Sequence, residues 1–247
     1  MASTRLPGKV MADLAGRPLI YHVVDRVRRA RLLDLVLVAT SDRDSDDRLA
    51  AYCATHEIPC VRGSENDVLD RYHRAAHTIG ADVVVRLTAD CPLLDPGVID
   101  DVIAVFRAGY FDYLSNTLEP TFPDGLDVEV FSVQALDRTW NEARLGSERE
   151  HVTAYIWKHP ERFRLGGVKH TEDLSRLRWT VDEPQDLEFV RGIYAHLATG
   201  SYGITDVLRV LHEHPELAQL NQGFARNEGY AKSLRADEAA AKGGCGA

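Results

Sequence analysis

The sequence contains few cysteines and no long hydrophobic run. Its 247 residues include four cysteines, and none of them forms a C-x-x-C pair or has metal-ligand spacing with histidine. This pattern argues against a disulfide framework and a zinc site. No apolar run approaches the roughly 20 residues that span a bilayer, and the first residues lack the hydrophobic region of a signal peptide. We therefore expect a cytoplasmic protein with reduced thiols and no membrane partner.

The chain is also short of positive charge. It has 29 basic and 38 acidic residues, which give a formal net charge of -9 at pH 7. Proteins that bind nucleic acid or anionic lipid without sequence specificity need a basic surface. The charge therefore predicts no nucleic-acid partner. It is compatible with small anionic ligands, which a few local cations can bind.

Apolar segments of strand length alternate with segments of helical periodicity. LVLVAT (35–40) and DVVVRLT (82–88) are nearly continuous in apolar residues, whereas 18–32 and 68–79 carry apolar residues at helical spacing. This alternation predicts an α/β fold with a mainly parallel sheet and helices on both faces. After about residue 110 the pattern predicts a mixed half, with strands in 111–115, 126–132 and 176–182 and helices near 133–145, 149–158 and 184–197.

Three regions follow from this organisation. We predict one domain over 1–203, a helical extension over 204–236, and a disordered tail over 237–247 that is rich in small residues.

The opening loop STRLPGK combines two cations with a glycine. Ser3, Arg5 and Lys9 suit an anion that is bound by backbone N–H groups and positive side chains. The loop is not a Walker A motif, because Lys9 is followed by Val10 and the glycine spacing differs. The alternative interpretation is a polar turn with solvated cations. A phosphate-binding loop normally follows a buried strand, and only two residues precede this one.

Two aspartates each follow an apolar run. Asp90 ends the segment that begins at 82, and Asp182 ends RWTVD. Ligands of open parallel sheets bind at the carboxyl ends of strands, and carboxylates there suit Mg²⁺. The alternatives are a turn cap for Asp90 and, for Asp182 or Glu183, a cap of the helix that begins at Pro184.

A loop before a helix offers further polar groups. Arg62, Ser64 and Asp67 could hydrogen-bond a nucleobase, although Ser64 is also an ordinary helix N-cap.

Four more polar residues lie in the second half. Alternation places Asp127 and Glu129 on one face of a strand, which is also the pattern of a solvated acidic face. Arg149 and His151 lie close together in SEREHVTAYI, which lacks the H-E-x-x-H zinc pattern.

Several motifs in one order resemble the cytidylyltransferase family, in particular the branch related to spore-coat polysaccharide biosynthesis proteins. The same motifs resemble, more distantly, those of the synthetases that activate acidic sugars as CMP derivatives. The match runs from residue 3 to about 236, and its motifs are STRLPGKV, VATS, RGSENDVLDRY, VVRLTADCPLLDP, DYLSN, PDGLDVEVFS, SEREHVTAYI and LRWTVDEPQDLEFV. The resemblance implies a three-layer α/β/α sandwich around a mixed, mainly parallel sheet, of the nucleotide-diphospho-sugar-transferase kind, in a homodimer.

The resemblance also implies a reaction. An anionic oxygen of a sugar acid, sugar phosphate or phosphonate attacks the α-phosphorus of CTP and releases pyrophosphate, in polysaccharide or specialised-metabolite biosynthesis. The implied roles are the triphosphate for Ser3, Arg5 and Lys9, the nucleotide for Arg62, Ser64 and Asp67, Mg²⁺ for Asp90 and Asp182, and the acceptor for Asp127, Glu129, Arg149 and His151.

The sequence departs from the family before the opening loop. Family members begin with an apolar strand that leads through a Gln-Ala-Arg segment into the loop, whereas Met1 and Ala2 stand there in this sequence. We expect Met1 to be an internal methionine and the coding sequence to begin about ten residues upstream, since a sheet without its central strand leaves backbone groups unpaired. Two other classes stay open: a non-catalytic nucleotide-binding or partner subunit, and a related glycosyltransferase, whose usual D-x-D motif is absent from DCP (90–92).

Overall fold

The computed structural model describes residues 5–197 and 201–243, which form ten α-helices and eight short strands. The helices are α1 (Leu19–Val27), α2 (Asp47–Thr55), α3 (Val68–Ile79), α4 (Pro96–Ala108), α5 (Val133–Glu142), α6 (Gly146–Glu150), α7 (Ala154–Lys158), α8 (Pro184–His196), α9 (Ile204–Glu213) and α10 (Glu228–Gly243). The strands are β1 (Asp13–Leu14), β2 (Arg17–Pro18), β3 (Val38–Ser41), β4 (Cys60–Gly63), β5 (Val83–Arg86), β6 (Tyr113–Ser115), β7 (Glu129–Ser132) and β8 (Leu165–Gly167). No helix in these ranges is long and apolar enough to cross a bilayer.

The strands form three separate sheets. A four-stranded mixed sheet has the order β5-β7-β6-β8, in which β7 is antiparallel to β5 and β6, and β8 is parallel to β6. The strands β3 and β4 form a parallel pair, and β1 and β2 form a small antiparallel hairpin. The predicted α/β class with a mixed sheet is confirmed, with its parallel pairs confined to β3–β4 and β6–β8 among the described residues.

Helix α1 shows how the apolar pattern builds the core. Its stripe of Leu19, Ile20, Val23, Val24 and Val27 is buried, as its helical spacing predicts. The same core includes Trp179, the largest fully buried side chain of the described chain. This core supports the loops that carry the polar residues of the candidate site.

Three predicted elements differ from the structure. The segment 176–182 is not a sheet strand but makes one isolated bridge, between Arg178 and Asp124, because its neighbour is a loop. The helix predicted over 149–158 is divided into α6 and α7, and Val152 lies between them with a positive φ of 57°. The disordered tail predicted from 237 is wrong as far as Gly243, where α10 ends, and 244–247 lie outside the described residues.

An apolar cavity of about 690 Å³ lies between the two larger sheets. Within the described residues β3 pairs only with β4 and β5 pairs only with β7, and both strands line this cavity. Helices α1 and α3 also line it with apolar side chains. Neighbouring strands of a sheet lie about 4.8 Å apart, and each strand leaves half of its backbone N–H and C=O groups for the next strand. The cavity between β3 and β5 therefore suits one more strand.

We predict that an apolar segment fused ahead of Met1 fills this cavity. A short Val- and Ile-rich extension would raise the unfolding temperature by several degrees, because each backbone hydrogen bond to β3 or β5 contributes about 1 kcal/mol. Thermal unfolding and amide hydrogen exchange of β3 and β5 measure the effect. The control is an extension of the same length that carries Pro and Asp, and equal stability of the two fusions would contradict the prediction.

Candidate active site

Lys9 joins the two aspartates that the sequence places after apolar runs. Its Nζ donates to Asp90 Oδ2 at 2.6 Å and to Asp182 Oδ1 at 2.7 Å. A tight turn aims Lys9, because Gly8 has a positive φ of 72° and a 3₁₀ turn follows it. The backbones of the two aspartate segments are also joined, since Val181 N donates to Asp90 O at 2.8 Å. Three distant parts of the chain therefore meet at one charged centre.

The charges of this centre stabilise one another. Burial disfavours the ionised form of both Lys9 and Asp90, but their mutual attraction and hydrogen bonds are stronger. The pKa of Lys9 therefore lies above its usual value, and the pKa of Asp90 lies below its own. Both groups are charged at neutral pH, and Lys9 alone does not balance two carboxylates.

Arg5 lies beside the same centre and is partly exposed. Its guanidinium is 3.1 Å from Asp182, 3.1 Å from Glu183 and 2.8 Å from Glu228. A third of its side chain is open to solvent, with a relative exposure of 33%. Both cations of the predicted anion loop thus lie together. Ser3, the third residue predicted there, lies outside the described residues.

A buried arginine that the sequence interpretation missed holds this centre in place. Arg178 makes two bonds of 2.9 Å to Asp186, and it lies 3.2 Å from Asp182 and 3.3 Å from Asp124. Burial opposes ionisation of Asp186, but its bonds to Arg178 outweigh this and lower its pKa. Asp186 also accepts the backbone N–H groups of Asp182 and Glu183, each at 2.9 Å. Asp186 thereby fixes the start of α8, and the Asp182 side chain is held towards Lys9.

A glycine lets the 123–127 turn approach this arginine. Gly125 has a φ of +109°, and a Cβ there would come within 2.7 Å of the backbone of Trp179 and Thr180. Asp124 exchanges backbone hydrogen bonds with this segment, donating to Leu177 O at 2.9 Å and accepting from Trp179 N at 2.6 Å. The close approach brings the Asp124 carboxylate to Arg178.

Asp127 is bound by the chain segment just before α10. Arg226 donates to the Asp127 carboxylate and to Phe122 O, the latter at 3.2 Å. Burial raises the pKa of Asp127 to about 7, although Arg226 acts in the opposite direction. The predicted acidic face is therefore not a solvated one at this position.

Glu129 is buried among hydrogen-bond donors of the protein. Its side chain is only 8% exposed and accepts hydrogen bonds from Arg86, from Thr153 and, at 2.7 Å, from the Tyr113 hydroxyl. The strand β7 begins at Glu129, so Asp127 precedes it and the two carboxylates have different partners. Protein donors from three segments of the chain therefore engage the Glu129 carboxylate, and its contact with an acceptor stays a prediction.

Asp67, which was predicted to contact the nucleotide, forms an ion pair with Arg149, which was predicted to contact the acceptor. Arg149 Nε lies 3.0 Å from both carboxylate oxygens of Asp67, and its NH2 is 2.6 Å from Oδ2. Asp67 also caps α3, accepting from Asp70 N at 2.9 Å, so the alternative that Ser64 caps this helix is wrong. Ser64 itself is exposed. The structure therefore joins the start of α3 to α6.

The other two predicted residues have separate environments. Arg62 donates to the carbonyls of Ser41 and Arg43, each at 2.9 Å, and holds the end of β3. His151 Nε2 lies 3.0 Å from Ser233 Oγ, so α10 covers it. Burial is the main cause that lowers the pKa of His151. The helical extension predicted over 204–236 thus contributes contacts of Arg226, Glu228 and Ser233.

Comparison with solved structures defines the class of this fold. A cytidylyltransferase from Leptospira borgpetersenii superposes with a TM-score of 0.86 and 29% identity, over 92% of this chain and 95% of that one. A CMP:2-keto-3-deoxy-manno-octonic acid synthetase in complex with CTP superposes with a TM-score of 0.59 and 18% identity, over 78% of this chain and 94% of that one. The fold is that of the nucleotide-diphospho-sugar-transferase-like nucleotidyltransferases.

Sequence comparison narrows the class to a family. The cytidylyltransferase family profile matches residues 1–205. The spore coat polysaccharide biosynthesis protein SpsF of Bacillus subtilis is 32% identical over 88% of this chain and 93% of that protein. The 3-deoxy-manno-octulosonate cytidylyltransferase of Geobacter sulfurreducens is 41% identical over 42% of this chain and 40% of that protein. The chain belongs to the cytidylyltransferase family and is a CTP-dependent enzyme, which decides against the glycosyltransferase and non-catalytic alternatives.

The raised pKa of Asp127 predicts a pH-dependent effect of replacing it. The unfolded carboxyl titrates near 3.9 and the folded one near 7, so the folded state binds more protons and wild-type stability falls as pH rises through that interval. We predict that Asp127→Asn gains stability relative to wild type between pH 4 and pH 8, by several degrees in Tm. Exposed Asp101→Asn is the matched control. A Tm difference that does not change with pH would contradict the prediction.

Proposed function

We propose that this enzyme transfers CMP from CTP to an anionic oxygen of a small acidic acceptor and releases pyrophosphate. The acceptor class is a sugar acid, a sugar phosphate or a phosphonate. The observation that carries the proposal is the convergence of Arg5, Lys9, Asp90 and Asp182 at one centre. The names of the relatives agree with this class, since one acts in polysaccharide biosynthesis and another on 3-deoxy-manno-octulosonate.

The two cations would bind the triphosphate. Nucleotidyl transfer requires little covalent chemistry from the protein, but it requires in-line positioning and neutralisation of the charge on the leaving pyrophosphate. Lys9 and Arg5 now contact carboxylates, and phosphate oxygens of CTP can take those places with charge-assisted hydrogen bonds. The partial exposure of Arg5 gives the ligand access to this pair.

Asp90 and Asp182 fit a bound Mg²⁺. Both are hard oxygen donors, and both point at one cationic atom, Lys9 Nζ. Such an ion, when bound, neutralises charge on the phosphates. Arg178 donates to the Asp182 carboxylate and orients it. Arg178 is itself buried and held by its bonds to Asp186.

The acceptor would lie towards the wall formed by α3 and α6. Arg149 offers a cation for the acidic group of the acceptor, and His151 lies two residues further along the chain. Ser64 and Asp67, at the start of α3, would contact the nucleotide beside it. Asp127 would also face the acceptor, and the neutral form of its carboxyl tolerates an approaching anion better than its charged form does.

The reaction class is tested by pyrophosphate release. Each of the four common nucleoside triphosphates is incubated with Mg²⁺ and a panel of acidic sugars, sugar phosphates and phosphonates. We expect release with CTP only, and only when a suitable acceptor is present, with the CMP-linked product detected by mass spectrometry. Equal turnover with all four nucleotides, or turnover with neutral acceptors alone, would overturn the proposal.

The metal assignment is tested by two substitutions. We predict that Asp90→Asn and Asp182→Asn each reduce turnover about 100-fold or more, because a preorganised charge-stabilising group is lost at the transferring phosphate. Circular dichroism should show a retained fold, and exposed Asp101→Asn should keep wild-type turnover. Near-normal rates at low Mg²⁺ in either variant would remove that residue from the metal site.

A further inference from the structure

Two histidines of α3 and an aspartate of α5 lie close together, beyond the first turn of α3. His73 and His77 are four residues apart on α3, which places both on one face of the helix. Asp137 of α5 lies against them, with its Oδ1 3.1 Å from His73 Nε2 and 2.7 Å from His77 Nε2. The three potential ligand atoms all lie within 4.8 Å of one another.

The cluster is partly preorganised by its surroundings. The His73 ring stacks on Trp140, with centroids 4.4 Å apart and an interplanar angle of 12°. Trp140 is itself fixed, because its Nε1 donates to Asp70 Oδ1 at 2.9 Å. His77 and Asp137 are 51% and 39% exposed, so the open side of the cluster faces solvent. Stacking on Trp140 orients the His73 ring, and the exposed His77 and Asp137 give a dissolved ion access to the cluster.

We propose that His73, His77 and Asp137 bind one divalent transition-metal ion, of which Zn²⁺ is the best match. Two imidazoles and one carboxylate suit Zn²⁺, Ni²⁺ or Cu²⁺, whereas Mg²⁺ prefers oxygen ligands alone. Two histidines at this helical spacing can coordinate one ion from a single helix face. The three protein ligands leave a coordination position for water or a further ligand.

The bound ion would fasten α3 to α5. Asp67 caps the same helix six residues before His73, which is about 9 Å along the axis, and it holds Arg149. The ion would therefore support the wall that carries the Asp67–Arg149 pair, without being part of the charged centre at Lys9. Because a ligand of the native state alone stabilises folding by mass action, Zn²⁺ should raise the unfolding temperature.

The test measures ZnCl₂ binding to the chelator-treated full chain by calorimetry, together with thermal unfolding. The wild type should bind one Zn²⁺ at this site and unfold at a higher temperature with it, whereas MgCl₂ should not compete. His77→Ala and Asp137→Asn should each weaken binding at least tenfold and abolish the Zn²⁺-dependent rise in Tm. Exposed His212→Ala on α9 is the matched control and should bind as the wild type does.

Two results would overturn the proposal. The first is stoichiometric Zn²⁺ binding that is unchanged in both His77→Ala and Asp137→Asn, which would place the ion elsewhere. The second is a wild type that binds no Zn²⁺, which would reduce the cluster to a pair of hydrogen bonds between helices. Neither result depends on enzymatic turnover, so the proposal stands or falls separately from the proposed function.

Discussion

The ion triad of Lys9, Asp90 and Asp182 is the constraint on which the rest of the site depends. Its members are 81 and 173 residues apart in sequence, yet two short bonds from one ammonium group hold them together. Two carboxylates this close would repel each other without a cation between them. Removing one member of such a partly buried group leaves uncompensated charge, which costs more than the pair itself contributes. The opening loop therefore has a structural role through Lys9.

Behind this triad, two arginines form further ion pairs with carboxylates. Arg178 forms ion pairs with Asp186 and Asp124 and also contacts Asp182, and Arg226 extends the same network to Asp127. These groups lie mostly out of solvent, so their positions are set by fixed partners and not by water. A site that binds a highly charged nucleotide gains from such an arrangement, because its dipoles and charges need little reorganisation when the ligand arrives.

The sequence predicted the parts of the site that follow from local pattern. Asp90 and Asp182 were found because each comes after an apolar run, and Arg5 and Lys9 because they flank a glycine turn. Arg178 was missed, since one charged residue between apolar neighbours indicates an exposed strand position, whereas here Asp186 of α8 and Asp124 of a distant turn supply its partners. The burial of Glu129 was not predicted, because it depends on Arg86 of β5, and the register of β5 against β7 is a tertiary property. The helix through 243 was missed because a run of alanines was interpreted as disorder, although alanine is the best helix former.

The pairing of Arg5 with Glu228 has a consequence for how this enzyme is made. The two residues are 223 positions apart, so this ion pair can form only after the chain has been synthesised through Glu228. Chains emerge from the ribosome in order and their amino-terminal parts fold first. Until the carboxyl-terminal segment arrives, Arg5 lacks one of its acidic partners and the loop around it is more exposed. Segments that are far apart in sequence thus complete this ion pair only late in synthesis.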